Sequence, residues 1–262
     1  MTETEIALVI CSEDTSTVAA GIAKLTHLAG YQLVDAGTKD IHDYYFDAPD
    51  RRLRQGGMSL RLRELESSTL LTLKGPAIEL PGGVLERLEI EEIWSRRSLT
   101  RVLQELQRRG ILLASPPPAL VPDMPPSEVL TGMGLKTVQH RRNQRTVRMV
   151  RPAGSIGGCS LAELAIDQVT YYLKIGQVQH HEVEIEVKGE GWAGRIAGGA
   201  GELLRSYPRS LSWLRYWKLS IGETAEELLG LSPEKEMLDA KNHLRPVDYR
   251  RIRDRLDSVM RG

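Results

Sequence analysis

Alternating apolar and polar positions, broken by turn residues, run along most of the chain. Residues 5–11 (Glu-Ile-Ala-Leu-Val-Ile-Cys) predict a first strand. Ser12 to Asp14 offer helix caps, and Val18, Ile22 and Leu25 recur at helical spacing up to Gly30, a stretch that includes His27. Residues 31–47 alternate and end in the strand-like Asp43-Tyr44-Tyr45-Phe46-Asp47, and Asp47-Ala-Pro-Asp50 is a turn signal. Gly56-Gly57 precedes a strand over 58–65. A further strand over 69–74 is expected to stop at Gly75-Pro76, and 85–94 alternates again. Ser98 predicts the start of a helix carrying Val102, Leu103 and Leu106, with Gly110 as its stop. Pro116, Pro117, Pro118, Pro122, Pro125 and Pro126 crowd the segment 115–127, the best linker in the chain.

Beyond that linker the pattern partly repeats. Strands are predicted near 136–150, 159–173 and 179–188, then a glycine-interrupted helix over 191–207 and a short strand over 214–219. A helix begins over 223–229. The charged tail carries Ile252, Leu256 and Val259 at helical spacing and reads as an appendage, with Asp254 and Asp257 interleaving its arginines on a solvated face. The chain thus divides into a domain over 1–229 and a helical extension over 230–262. Two mostly antiparallel halves with about eight evenly spaced strands predict an α+β fold, a closed or nearly closed eight-stranded antiparallel β-barrel with flanking helices.

Composition narrows the function classes. Lys plus Arg and Asp plus Glu are 35 each among 262 residues, so the formal net charge is zero and a global nucleic-acid binder is disfavoured. Charged residues at 27% and hydrophobic ones at 41% exclude wholesale disorder. There is no apolar run of about 18 residues and no basic, apolar N-terminal leader, so neither a membrane span nor secretion is expected. Cys11 and Cys159 are far apart and lack metal-ligand spacing, which fits a reducing cytoplasm. With aromatic residues at 5%, the apolar mass must come from Leu, Ile and Val.

The informative signal is charge placed on strands. In Ser59-Leu60-Arg61-Leu62-Arg63 both arginines share one face and both leucines the other. The same parity joins Glu89 with Glu91, Arg141 with Arg145, Glu163 with Ala165 and Asp167, and Glu182 with Glu184 and Glu186; Lys74 ends its own strand. A half-exposed antiparallel sheet also alternates in this way. Three in-phase glutamates, however, repel one another unless cations neutralise them. Acidic and basic rows on different strands of a closed sheet suit a polyanion bound with a divalent metal: carboxylates hold the hard cation, and Arg and Lys hold phosphate oxygens.

The run Tyr44-Tyr45-Phe46-Asp47-Ala-Pro-Asp50-Arg-Arg-Leu53-Arg54-Gln-Gly-Gly57-Met-Ser-Leu60-Arg61-Leu62-Arg63 resembles the signature of the CYTH, or triphosphate tunnel metalloenzyme, superfamily. Thr72-Leu73-Lys74-Gly75-Pro76, Arg87-Leu88-Glu89-Ile90-Glu91, Leu164-Ala165-Ile166-Asp167-Gln168, Glu182-Val-Glu184-Ile-Glu186-Val and Trp217-Lys218-Leu219 follow in that family's order, so the resemblance spans roughly residues 3–225. It implies a tunnel that binds a linear triphosphate and acts on it with Mg²⁺ or Mn²⁺: hydrolysis of inorganic triphosphate is the first reaction to consider, with hydrolysis of thiamine triphosphate or nucleoside triphosphates and adenylate cyclisation as the family's others. By the same resemblance, Arg61, Arg63, Lys74, Arg141, Arg145 and Lys218 would bind substrate. Glu3, Glu5, Glu182, Glu184 and Glu186 would hold metal, and Glu5, Glu89, Glu91 and Asp167 would be the catalytic acids. A helical phosphate-binding CHAD domain often follows in the family, and the tail here ends within what would be a linker to it.

One departure bears on activity. The family opens with Glu-x-Glu-x-Lys, whereas this chain has Glu3-x-Glu5-x-Ala7. The alternative expectation is therefore a weakened module that binds triphosphate or polyphosphate without efficient turnover. A third expectation is a scaffold whose charged strands face solvent. His180-His181 is expected to be a solvated pair rather than a metal site. The glycines at 154, 157 and 158 make no phosphate loop, and no His-Glu-x-x-His, Gly-x-Ser-x-Gly or Cys-x-x-Cys occurs. The expected partner is a triphosphate-bearing small molecule or polyphosphate, with neither nucleic acid nor membrane.

Overall fold

The structure is a computed structural model that describes residues 2–117, 124–154, 160–174, 176–188, 193–208 and 210–213, together with 238, 240, 242–245, 250–252, 254–255 and 258. The elements follow in order as β1 (Thr2–Ile10), α1 (Thr15–Ala23), β2 (His27–Leu28), β3 (Tyr31–Asp47), α2 (Arg52–Gln55), β4 (Ser59–Leu65), β5 (Ser68–Leu80), β6 (Val84–Ile93), α3 (Arg96–Arg108), α4 (Pro126–Gly132), β7 (Lys136–Pro152), β8 (Ala162–Leu173), β9 (Gly176–Val187), α5 (Ala193–Ser206) and β10 (Leu211–Trp213). Along the sheet the order is β1-β6-β5-β4-β3-β7-β8-β9, and β1 also pairs with β9. Eight antiparallel strands therefore close on themselves, with β2 added to β3 and β10 to β1. The expected α+β barrel is the observed fold. No helix among the described residues is long and apolar enough to cross a membrane.

Contacts group the chain into two compact units. One comprises Met1–Glu3, Asp40–Ile78 and Glu86–Arg141, the other Thr4–Lys39, Glu79–Leu85 and Arg142–Gly262. In the first, Leu60 and Leu62 of β4 meet Leu73 and Leu71 of β5 in register. They bury against Leu99, Val102 and Leu106 of α3 and Val129, Leu130 and Met133 of α4. In the second, Ile6 and Leu8 of β1, Leu164 and Ile166 of β8, and Val183 and Ile185 of β9 pack with Ile22 of α1 and with Ile196, Ala200 and Leu203 of α5. Each fully buried aliphatic side chain removes about 1.5–3 kcal/mol worth of apolar surface from water. Both cores thus lie under helices on one face of the strands. In a closed sheet the face away from the helices is the inner one, and period-two alternation turns the charged rows onto it.

Local chemistry accounts for several ends and corners. Asp47 is buried and accepts the backbone N–H groups of Ala48, Leu53 and Arg54 at 2.7, 3.0 and 3.1 Å, which ties the turn after β3 to α2. Gly57 sits at φ +66°, and a Cβ there would stand 3.1 Å from Pro76 Cγ, so glycine is required before β4 on both counts. Ser95, not Ser98, caps α3; Ser98 is the third helical residue, and its hydroxyl oxygen accepts the Ser95 N–H at 2.9 Å. At the other end Ile111 N–H reaches Leu106 C=O and Gly110 N–H, at φ +74°, reaches Gln107 C=O, a Schellman termination.

Other expectations are corrected. β5 runs through Gly75-Pro76 to Leu80. Its register with β4 ends at Ser59 opposite Lys74, so Pro76 lies beyond that ladder and takes no β4 hydrogen bond from it. α1 stops at Ala23, and His27 is an exposed residue of β2 rather than part of the helix. The strand expected over 214–219 and the helix over 223–229 lie outside the described residues. Of the tail, Leu238, Leu244 and Ile252 are buried, and Asn242 C=O and Leu244 N–H bond the backbone of Gln179 in β9 at 2.8 and 2.9 Å. The three buried side chains are packed, unlike an appendage, whereas Arg250, Arg251, Asp254 and Arg255 are exposed, as expected of a solvated face.

Candidate active site

In the first unit the inner face is organised by an aspartate. Asp43 of β3 is fully buried and accepts two bonds from Arg63, Nε to Oδ1 at 2.8 Å and Nη2 to Oδ2 at 3.1 Å. Arg61 Nη1 and Arg141 Nη2 each stand 3.5 Å from Oδ2. Arg141 Nη2 also bonds the Tyr45 hydroxyl, and its guanidinium carbon lies 4.9 Å from the Tyr45 ring centre. Arg61 Nη2 reaches Glu91 at 3.0 Å, and Thr72 donates to the same carboxylate oxygen at 2.8 Å. Strand register makes this cluster: Asp43 faces Arg63 across β3 and β4, and Arg61 faces Thr72 across β4 and β5. Burial pushes the Asp43 carboxyl up, but Arg61, Arg63 and Arg141 outweigh it and hold the group well below the usual carboxylate range. Burial lowers Arg61, and Asp43, Tyr45 and Glu91 together more than restore it. Tyr45 is raised by burial and lowered further by Arg141 and Arg61, for a net fall. Three guanidiniums thus face two carboxylates, a preformed cationic surface.

A second group in the same unit joins β1, β5 and β6. Lys74 Nζ lies 2.5 Å from Glu3 and 3.1 Å from Glu89, and Arg87 Nε donates to Glu3 at 2.7 Å. Glu3 is buried, which raises its carboxyl, but Lys74 and Arg87 bring it far below its ordinary value.

The second unit carries the opposite charge. Asp167 of β8 pairs in register with Glu182 of β9, and Ala165 with Glu184. Asp167, Glu182 and Glu184 are all buried, and each offers a carboxylate oxygen within 4.8 Å of the others. Arg145 donates to Asp167 at 2.8 Å through Nε and 2.6 Å through Nη2, and Nη2 also bonds Glu184. Burial lowers Arg145, but Asp167 with Glu163 and Glu182 together raise it. Across β1 and β9, Glu5 faces Glu186, Ala7 faces Glu184 and Val9 faces Glu182. The position where the family pattern has lysine is therefore a buried methyl group opposite a carboxylate that Arg145 already bonds. Glu186 is half-buried and bonds Lys188 at 2.7 Å. Lys218 lies outside the described residues.

Several participants were not singled out by the sequence. Asp43 and Tyr45 stand in phase with Asp47 on β3, and Arg87 stands in phase with Glu89 and Glu91, so parity alone could have named them. Asn143, in phase with Arg141 and Arg145, is buried with an unpartnered Oδ1. His180 and His181 are buried rather than solvated. Their strand lies between β8 and β1, and His180 Nε2 is 3.1 Å from Glu182 while its ring tilts onto Tyr171. His181 packs edge-on against His243 of the tail.

The CYTH domain profile matches residues 15–197. The chain belongs to the CYTH domain family. Among solved structures, a protein from Hippeastrum, classed provisionally as the adenylyl cyclase HpAC1 and described as having a dominant triphosphatase activity, is 18% identical with a TM-score of 0.52, over 86% of this chain and 96% of that one. A protein of Bacillus halodurans, also classed provisionally as an adenylate cyclase, is 20% identical with a TM-score of 0.44, over 80% of this chain and 93% of that one. The former likeness supports the shared fold. No curated protein sequence matches the chain.

Proposed function

We propose that this CYTH protein is a metal-dependent triphosphatase that acts on the inner face of its closed sheet, with inorganic triphosphate as the first substrate. The supporting observation is the separation of charge by unit: guanidiniums gathered on Asp43 in one, carboxylates gathered on Arg145 in the other. In the second set three buried carboxylates each bring an oxygen within 4.8 Å of the others, a gathering of negative charge that a divalent cation suits. The donor set is all oxygen, which favours Mg²⁺ or Mn²⁺ over softer ions. Asp167, Glu182 and Glu184 would hold the metal, with Glu3, Glu5 and Glu186 as further acids. Bound there, the ion supplies charge neutralisation to the phosphates.

The chain's own residues have separable roles in this reading. Arg61, Arg63 and Arg141 bind non-bridging phosphate oxygens, and Asp43 holds them in place beforehand, so little reorganisation accompanies binding. Lys74 and Arg145 add cationic contacts, as Lys218 does by its place in the motif. Glu89 and Glu91 orient Lys74 and Arg61. Glu5, opposite Glu186, accepts the proton of the attacking water, and Asp167 fixes Arg145.

Phosphate release from tripolyphosphate with Mg²⁺ or Mn²⁺ tests the proposal. Chelator and Glu184→Gln should each abolish it in folded protein; activity that survives both defeats the reading. A second reading, binding without efficient turnover, draws on Ala7 opposite Glu184. It predicts that tripolyphosphate raises the melting temperature while no phosphate is released.

A further inference from the structure

Two imidazoles meet on the faces of β3 and β7 opposite the Asp43 cluster. His42 Nδ1 and His140 Nε2 lie 3.5 Å apart, with ring centres 5.8 Å apart and planes inclined at 28°. Tyr44 stacks on His140 at 4.4 Å and 8°, which fixes the plane of that ring. Both histidines are half-buried, so an ion from solvent can reach them. Glu64 is exposed and stands directly opposite His42 across β3 and β4.

The spacing is informative. N–H···O bonds in proteins centre near about 2.9–3.0 Å, so 3.5 Å is long for a shared proton. Two imidazole nitrogens on one tetrahedral Zn²⁺, each at about 2.0–2.1 Å, stand about 3.3–3.4 Å apart. The ring nitrogens are thus already separated as a ligand pair requires, to within a small rotation. Burial first, and His42 next, push His140 below its ordinary value, against the weaker pull of Glu64 and Asp43.

We propose that His42 and His140 form a binding site for a borderline transition-metal ion, Zn²⁺ being the best fit, with water completing the shell. Imidazole nitrogen selects such ions over Mg²⁺ and Mn²⁺, which prefer oxygen. The site is separate from the carboxylate set of Asp167, Glu182 and Glu184, does not depend on the triphosphatase reading, and has its own metal chemistry.

Calorimetric titration of the full chain with Zn²⁺, in excess Mg²⁺, tests it. His42→Ala and His140→Ala should each lose one equivalent of bound Zn²⁺ that Glu184→Gln retains; unchanged stoichiometry in the histidine variants overturns the proposal. Carbethoxylation of wild-type histidines, mapped by peptide mass, gives a readout independent of any variant's folding. Zn²⁺ should protect His42 and His140 and leave the exposed His27 reactive. Equal modification of His42 and His140 with and without Zn²⁺ also overturns the proposal.

Discussion

Asp43→Asn isolates the role of one buried charge. The substitution keeps the shape of the side chain and removes the negative charge that three guanidiniums share. Breaking a buried ion cluster by deleting one partner costs about 3–5 kcal/mol, because the remaining charges stay desolvated without compensation. Set against a total stability of about 5–15 kcal/mol, that is a large fraction. Urea unfolding followed by circular dichroism should show the loss at neutral pH as a lower midpoint. Asp50→Asn, which removes an exposed partner of Arg52, should leave the midpoint unmoved. The sign with pH is fixed by the depressed Asp43 carboxyl: its stabilisation is complete above the unfolded value near 3.8 and drains away as pH falls below it. The gap between wild type and Asp43→Asn should therefore close in acid. Tripolyphosphate should recover part of the loss by supplying phosphate oxygens to the same guanidiniums. A neutral-pH cost below about 1 kcal/mol, or a gap that stays constant into acid, refutes the account of Asp43 as the organising anion.

Three further outcomes follow from packing and register. Leu106→Ala removes a buried side chain from the core that α3 shares with β4 and β5, so denaturant unfolding should register a loss of about 2–5 kcal/mol. Ser95→Ala deletes the α3 cap and breaks the reciprocal bonds with Ser98, for about 0.5–2 kcal/mol in the same assay. Ala7→Lys places an ammonium opposite Glu184, where Arg145 now provides the counter-charge. If the missing lysine limits turnover, phosphate release should rise in this variant; a folded variant with unaltered release removes Ala7 as the cause.

The strands were legible because the side-chain period of two is written directly into residues 59–63, 88–91 and 182–187, and each parity group reappears on a single face. The family pattern from Tyr44 to Arg63 was legible because Asp47, Gly57 and the paired arginines each meet a local demand: amide capping, positive φ and one-sided charge. The end of β5 was misread because a proline signals a break only where its missing N–H has a ladder to interrupt, and that depends on the register with β4. The burial of His180 and His181 was hidden for a related reason. Nothing in the strand itself records that β1 and β8 flank it or that His243 packs against it.

Sequence determined which residues share a face, since alternation is a property of the backbone within one strand. It also determined that the faces are charged, which requires compensation somewhere. Tertiary structure alone decided the compensation. Asp43, Arg61, Arg63 and Arg141 come from three strands spread over about a hundred positions of chain, and only strand pairing brings them within 3.5 Å. The same holds for Arg145 on β7 with Asp167 on β8 and Glu184 on β9, whose attraction acts over a few ångströms and so leaves no trace in linear spacing.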